Sequence, residues 1–252
     1  MTLSLDTVRD LLRTMPDRQA KLGVIYETLP PTRCRRRTSC CSLLPEMPLV
    51  ESLTLFSCLA TLPGDARLDL LRKILSWFFL NPVQITTCPF LAGHDCLIYR
   101  DRFFGCRAYG LWSPAYYETL STANRQAKTH IRQQWRNLGV ELPEAVIQFQ
   151  VPYCRNVEPA GENRTDDRVI QEAWDRVVQL SEQLAPWHQI FQEHYFFDPA
   201  FLVASLLFGM NRAVRLKYNI VRGIVAGDRS LLDMVLEETS DPFDALVADR
   251  TG

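Results

Sequence analysis

Most features that would declare a function outright are missing from this chain. No apolar run approaches the ~20 residues that cross a bilayer; the longest are Ile74–Leu80 and Phe201–Met210. Met1–Met15 carries Asp6, Arg9, Asp10 and Arg13 among its leucines, so it lacks the apolar stretch of a secretory signal. The expectation is a soluble, cytoplasmic protein with no membrane partner. Neither sign of charge dominates: 28 Lys+Arg face 29 Asp+Glu, which argues against a general nucleic-acid binder. The 11 glycines are scattered, and no phosphate loop or dinucleotide fingerprint is present. Only four histidines occur, His94, His130, His188 and His194. There is no HExxH zinc helix, and nothing in the sequence pairs a histidine with a cysteine for nucleophilic catalysis. Internal repeats and low-complexity tracts are also absent. The remaining composition, 47% apolar and 23% charged, is that of a globular chain long enough to bury a core without disulfides.

Periodicity gives a predominantly α fold. Leu5, Val8, Leu11, Leu12 and Met15 share a helical face that Pro16 ends. A second helix starts near Asp65 and runs through Leu80. Ser113-Pro114 is a cap-plus-proline start, followed by Tyr116, Leu120, Ala123, Ala127, Ile131, Trp135 and Leu138 at helical spacing up to Gly139. Val146–Val151 alternates loosely and reads as a short strand. Residues 155–167 are polar and contain Pro159 and Gly161, a loop or linker. Beyond it, Ile170, Ala173, Trp174, Val177 and Leu184 form another stripe. Asp198-Pro199 starts a helix to about Val221, and a last helix spans Ser230–Glu237 before an acidic tail. The resulting division is 1–154 as a cysteine-bearing, metal-binding region, 155–167 as linker, and 168–252 as a helical C-terminal region.

What the chain does have is eight cysteines. Cys34, Cys40 and Cys41 form one cluster; Cys88, Cys96 and Cys106 form another, beyond the helix ending near Leu80. In a reducing compartment, cysteines at such spacings are metal ligands or redox groups. Thiolates are soft, anionic ligands suited to iron–sulfur clusters, iron or zinc. Side chains of the adjacent Cys40 and Cys41 diverge in a strand and need a turn to converge. Pro89 stiffens the loop after Cys88. Arg33, Arg35, Arg36 and Arg37 crowd Cys34, and Arg107 follows Cys106; such positive neighbours favour the thiolate. Cys58, in an apolar run, reads as a small core residue. Cys154 lies apart and is a candidate for completing the site. His94 and Asp95 read as a polar turn between cysteine loops. His188 and His194 read as packing an aromatic-rich helix junction. Arg125, Lys128, Arg132 and Arg136 read as a solvated basic face, and Tyr116, Tyr117 and Trp135 as core.

At the cysteines the chain resembles a family of zinc- or iron-chelating cysteine-cluster proteins, whose pattern is CxxCxxCC, then CPFL, then CxIYxxRPxxCRxY. Cys88-Pro89-Phe90-Leu91 matches in full; Cys96, Ile98, Tyr99, Arg102, Cys106, Arg107 and Tyr109 match the third element. Arg37 stands in place of the second cysteine of the first motif, and Phe103 in place of the proline. The resemblance covers Cys34–Tyr109, about a third of the chain, and implies metal binding. A flagellin lysine-methylase carries a related cysteine-rich region, which brings protein or peptide modification into view.

The functional expectation is therefore a cysteine-ligated metalloprotein with an iron–sulfur or iron centre. Its ligands are drawn from Cys34, Cys40, Cys41, Cys88, Cys96, Cys106 and Cys154, and its chemistry is redox or modification of a protein or peptide substrate. The alternatives are a structural zinc protein acting as a protein-binding module, and a metal-handling protein. Short CxxC zinc knuckles are absent, which ranks zinc second. Arg102, Arg107 and Tyr109 are the expected donors to sulfur or to loop carbonyls around the centre.

Overall fold

The computed structural model describes residues 2–30, 32–34, 38–155, 157–159 and 166–243. The arginines at 35–37, the side chains of Arg33 and Cys34, residues 160–165 of the expected linker and the tail from 244 onward lie outside the described residues. The fold is predominantly α. No described helix is long and apolar enough to cross a membrane.

The chain starts with α1 (Leu5–Arg13) and α2 (Met15–Glu27). Ser4 caps α1 by accepting from Thr7 N–H. Pro16, expected to end the first helix, instead opens α2 near its first position, where its missing N–H costs nothing. After the strand β1 (Thr32–Cys34) and a 3₁₀ turn (Ser39–Ser42) comes α3 (Leu49–Thr61). This helix is buried almost all round, with ten of its residues in the core, including Glu51 and Ser52. It packs against α1, α2, α8 (Asp167–Glu182) and α9 (Trp187–Tyr195).

A second layer forms on α4 (Gly64–Leu80), which packs against α10 (Pro199–Phe208), α11 (Met210–Val225) and α12 (Ser230–Glu237). Asp198 caps α10 through Ala200 and Phe201 N–H. The single helix expected from Pro199 is two helices, because the chain turns at Gly209. Aromatic pairs close this layer: Phe78 stacks on Phe201 at 5.5 Å and Phe56 on Phe243 at 5.5 Å. Buried Arg67 pairs with Asp241 at 2.5 Å, tying the segment after α12 to the start of α4.

Three expectations fail here. Half of the residues expected to be a strand, Val146–Gln148, lie in the short helix α7 (Glu144–Gln148), and the rest form no strand. Pro143 and Glu144 supply a helix start, and an alternation over six residues is too short to outweigh it. The long helix α6 (Pro114–Asn137) forms as expected, with Ser113 as its cap. Its apolar stripe, however, is largely exposed: Leu120, Ile131 and Leu138 face solvent. Tyr116 and Tyr117 are half-buried, their hydroxyls spent on Gln171 and Val151. The early part of the expected linker is not free either, since β4 (Val157–Pro159) pairs antiparallel with β1, Cys34 opposite Val157.

Candidate metal centre

Four chain segments carry the cysteines to one side of α3. Cys40 and Cys41 lie in the 3₁₀ turn, which brings together side chains that a strand would separate: their sulfurs are 4.0 Å apart and share a hydrogen bond. Cys88 lies in the loop after α4, and its N–H donates to the Cys41 carbonyl. Cys96 ends a small hairpin, β2 (Leu91–Ala92) and β3 (Asp95–Cys96). His94 and Asp95, both exposed, form its polar tip. Cys106 sits in α5 (Phe104–Ala108). Gly105 lets that helix approach the segment following the 3₁₀ turn, since a Cβ there would fall 2.8 Å from Pro45 Cβ.

The five thiols sense one another. Burial pushes the Cys88 thiol up to about 12, with further upward pressure from Cys96 and Cys40. Cys106 is raised by burial and then by charge on Cys88, Cys40 and Cys96. Cys96 is raised by burial and by Cys40. The bond with Cys41 drives Cys40 upward and lowers Cys41, which also feels Cys88, Cys106 and Cys96. The nearby cation is Arg102, whose charge favours the thiolates of Cys40 and Cys96. Among the described residues, no three Cys, His, Asp or Glu side chains are drawn tightly enough to hold a metal ion as they stand.

The remaining cysteines occupy different settings. Cys58 is partly exposed rather than a fully enclosed core residue, and burial followed by the neighbouring Asp101 raises its thiol to about 12. Cys154 lies beside Gly110. A Cβ on Gly110, which sits at φ +87°, would meet Val157 Cγ2 at 2.9 Å and Cys154 Cβ at 3.2 Å. Glycine is what lets the chain turn there under the β1–β4 ribbon. Tyr109 senses charge on both Cys40 and Cys154. Its hydroxyl donates to the Pro152 carbonyl, while Tyr117 and Tyr153 donate to Val151 and Trp112 carbonyls. The tyrosines thus hold the strand of chain that leads into Cys154.

The residues expected to support the loops separate by role. Arg107 donates to the Arg102 carbonyl at 2.7 Å and to the Arg100 carbonyl, bracing the loop between Cys96 and Cys106. Arg102 lies 4.2 Å over the Tyr99 ring. His188 is buried against Ser181 at 2.8 Å and belongs to the helix junction, whereas His194 is exposed and does not pack there. The four cations of α6 are spent within the chain. Arg125 pairs with Glu118, Lys128 donates to the Val146 and Phe149 carbonyls, and Arg132 and Arg136 meet Glu141 and Glu144.

Glu51 was not singled out among the candidate residues, although it is the single charged residue between Leu49 and Thr61. That isolation in an apolar run was the signal available. Its carboxylate is fully buried beside Cys106 and is pushed by burial up to about 7.

Compared with protein-family models, with curated proteins and with solved structures, the chain matches none.

Proposed function

We propose that the chain is a cysteine-ligated metalloprotein of the zinc- or iron-chelating cysteine-cluster kind, with its centre at Cys40, Cys41, Cys88, Cys96 and Cys106. One observation carries this reading: five thiols from four segments lie close enough to raise or lower one another's proton affinity. Burial and mutual repulsion keep such thiols protonated until a cation displaces the protons. The donor set fits a soft metal. The 4.0 Å separation of Cys40 and Cys41 is near the ~3.8 Å implied by tetrahedral bonds of about 2.3 Å. Drawing Cys88, Cys96 and Cys106 onto the same ion requires a contraction of two loops and α5, with α3 as the fixed floor. Cys34, whose backbone pairs with Val157, and Cys154, three residues before Val157, are the reserve ligands that offset the loss of a cysteine at Arg37.

The Cys88-Pro89 dipeptide and the arginine-rich surroundings of the cysteines suit an anionic cluster, which favours an iron or iron–sulfur centre. When bound, such a centre supplies electron transfer or Lewis acidity. The chain's own part is to hold the sulfurs, to brace the 96–106 loop through Arg107, and to exclude water through Phe90, Phe103 and Phe104, all buried. Redox chemistry or the modification of a protein or peptide is the activity this reading assigns.

The test is anaerobic purification of the chain, with iron, acid-labile sulfide and zinc measured on the sample that gives the visible spectrum. Iron with a broad visible absorption is expected. Zinc at about one per chain without colour would turn the centre into a structural clamp, and neither metal would overturn the reading.

A further inference from the structure

Glu51 is a fully buried acid with one oxygen unmatched among the described residues. It lies at 0% exposure on the central helix, and its Oε1 accepts from Phe104 N–H at 2.5 Å and from the Tyr26 hydroxyl. Its Oε2 has no hydrogen-bond partner among the described residues and no contact with solvent. Leaving a carboxylate in that condition is expensive, and the nearest chemistry that needs it is the start of α5. That helix has five residues and no side-chain cap of its own, so it is too short to persist unaided. Its first N–H, an orphan of the helix end, is held by Glu51, and Cys106 follows two residues later. Arg107, the next residue, lies 4.3 Å over the Tyr26 ring.

We propose that Glu51, with Tyr26 as its partner, is the positioning residue of the metal centre: a distant cap that fixes α5 so that Cys106 meets the other thiols. The proposal rests on the metal-centre reading above. It explains why a carboxylate is retained in an otherwise apolar helix, and why the Tyr26 hydroxyl and the Phe104 N–H both converge on it. Residues that orient a ligand in this way commonly change metal affinity about 10–100-fold when removed.

The test uses the full chain, stripped of metal and titrated anaerobically with cobalt(II), following the sulfur-to-cobalt charge-transfer absorption. Glu51→Gln keeps an acceptor oxygen and is expected to bind within about threefold of the parent chain. Glu51→Ala removes it and is expected to bind about 10–100-fold more weakly, with a changed ligand-field spectrum. Rescue by glutamine distinguishes positioning from charge. Far-UV circular dichroism of the stripped variants reports whether they fold. If Glu51→Ala does not, Tyr26→Phe carries the test, with a several-fold loss of affinity expected. Parent-like affinity and spectrum in Glu51→Ala, or in Tyr26→Phe where the alanine variant is unfolded, would overturn the role of Glu51. A parent chain that takes up no cobalt, and assembles no coloured centre when supplied anaerobically with iron and sulfide, would instead overturn the metal-centre reading itself.

Discussion

The two faces of the helical core solve burial in opposite ways. Around α4, α10 and α11 the contacts are apolar, stacked rings fill the layer, and the buried ion pair is complete: Arg67 meets Asp241 and also donates to the Leu62 carbonyl. On the cysteine side of α3, polar groups are buried faster than they are satisfied. Five thiols press on one another, and a carboxylate oxygen, Glu51 Oε2, is left without a donor among the described residues. In the first arrangement the buried ion pair is matched within the chain, and the atoms left unpartnered among the described residues are the neutral Trp77 Nε1 and Ser205 Oγ. The second buries interacting thiols beside an unpartnered carboxylate oxygen, and that difference in what is left unmatched marks the candidate site.

The sharpest way to break this contrast is to damage each face and compare chains with and without metal. Arg67→Ala strands a buried Asp241 and is expected to cost about 3–5 kcal/mol whether or not metal is present, measured by urea unfolding. Cys106→Ser is expected to leave the stripped chain's stability nearly unchanged. It should instead remove most of the gain on metal loading, which for a tight site reaches about 4 kcal/mol at a thousandfold excess over Kd. Equal losses from Cys106→Ser in loaded and stripped chains would erase the distinction between the faces.

A smaller effect sharpens the apolar side. Burial drives the Lys217 ammonium down to about 8 from an ordinary 10.5, with the Asp198 carboxylate opposing the shift, while the Phe78 ring lies 4.1 Å away. Between about pH 8 and 10.5 the unfolded chain holds a proton at Lys217 that the folded chain has released, so the Lys217 contribution to stability should rise with pH across that window, while the buried thiols, raised from 9.0, contribute in the opposite direction. The stability difference between Lys217→Met and the parent should therefore shrink from pH 7.5 to pH 10, read from their unfolding midpoints. The least effect is expected on α6, where Leu120→Ala and Ile131→Ala should change stability by no more than about 0.5 kcal/mol, because both side chains face solvent.

That last expectation contradicts what the sequence of α6 implies, and the reason is instructive. Ser113-Pro114 and Asp198-Pro199 are legible because capping is local chemistry between residues two or three apart. Which face of a helix is buried is not local. The stripe through Leu120, Ala123, Ala127 and Ile131 has helical spacing, yet the protein packs the tyrosine and lysine side of α6 against residues 146–153 instead. Buried on nearly every side, α3 has no polar face to reveal a period of 3.6, and it escaped sequence reading altogether. The cysteines were legible as a set because their spacing is unusual; Glu51 was not, because its partners Tyr26 and Phe104 lie 25 and 53 residues away. The helix at Glu144–Gln148 was hidden by a chance alternation of side chains.

The central claim, that Cys40, Cys41, Cys88, Cys96 and Cys106 close on a single ion or cluster, is tested most directly by timed alkylation of the metal-loaded and stripped chain, read cysteine by cysteine by mass spectrometry. Loading should protect those five together and leave Cys58 reacting as before, with Cys34 and Cys154 joining the protected set if the ribbon supplies reserve ligands. Protection that is absent, or spread equally over Cys58 and the five, would contradict the existence of a cysteine centre on this face.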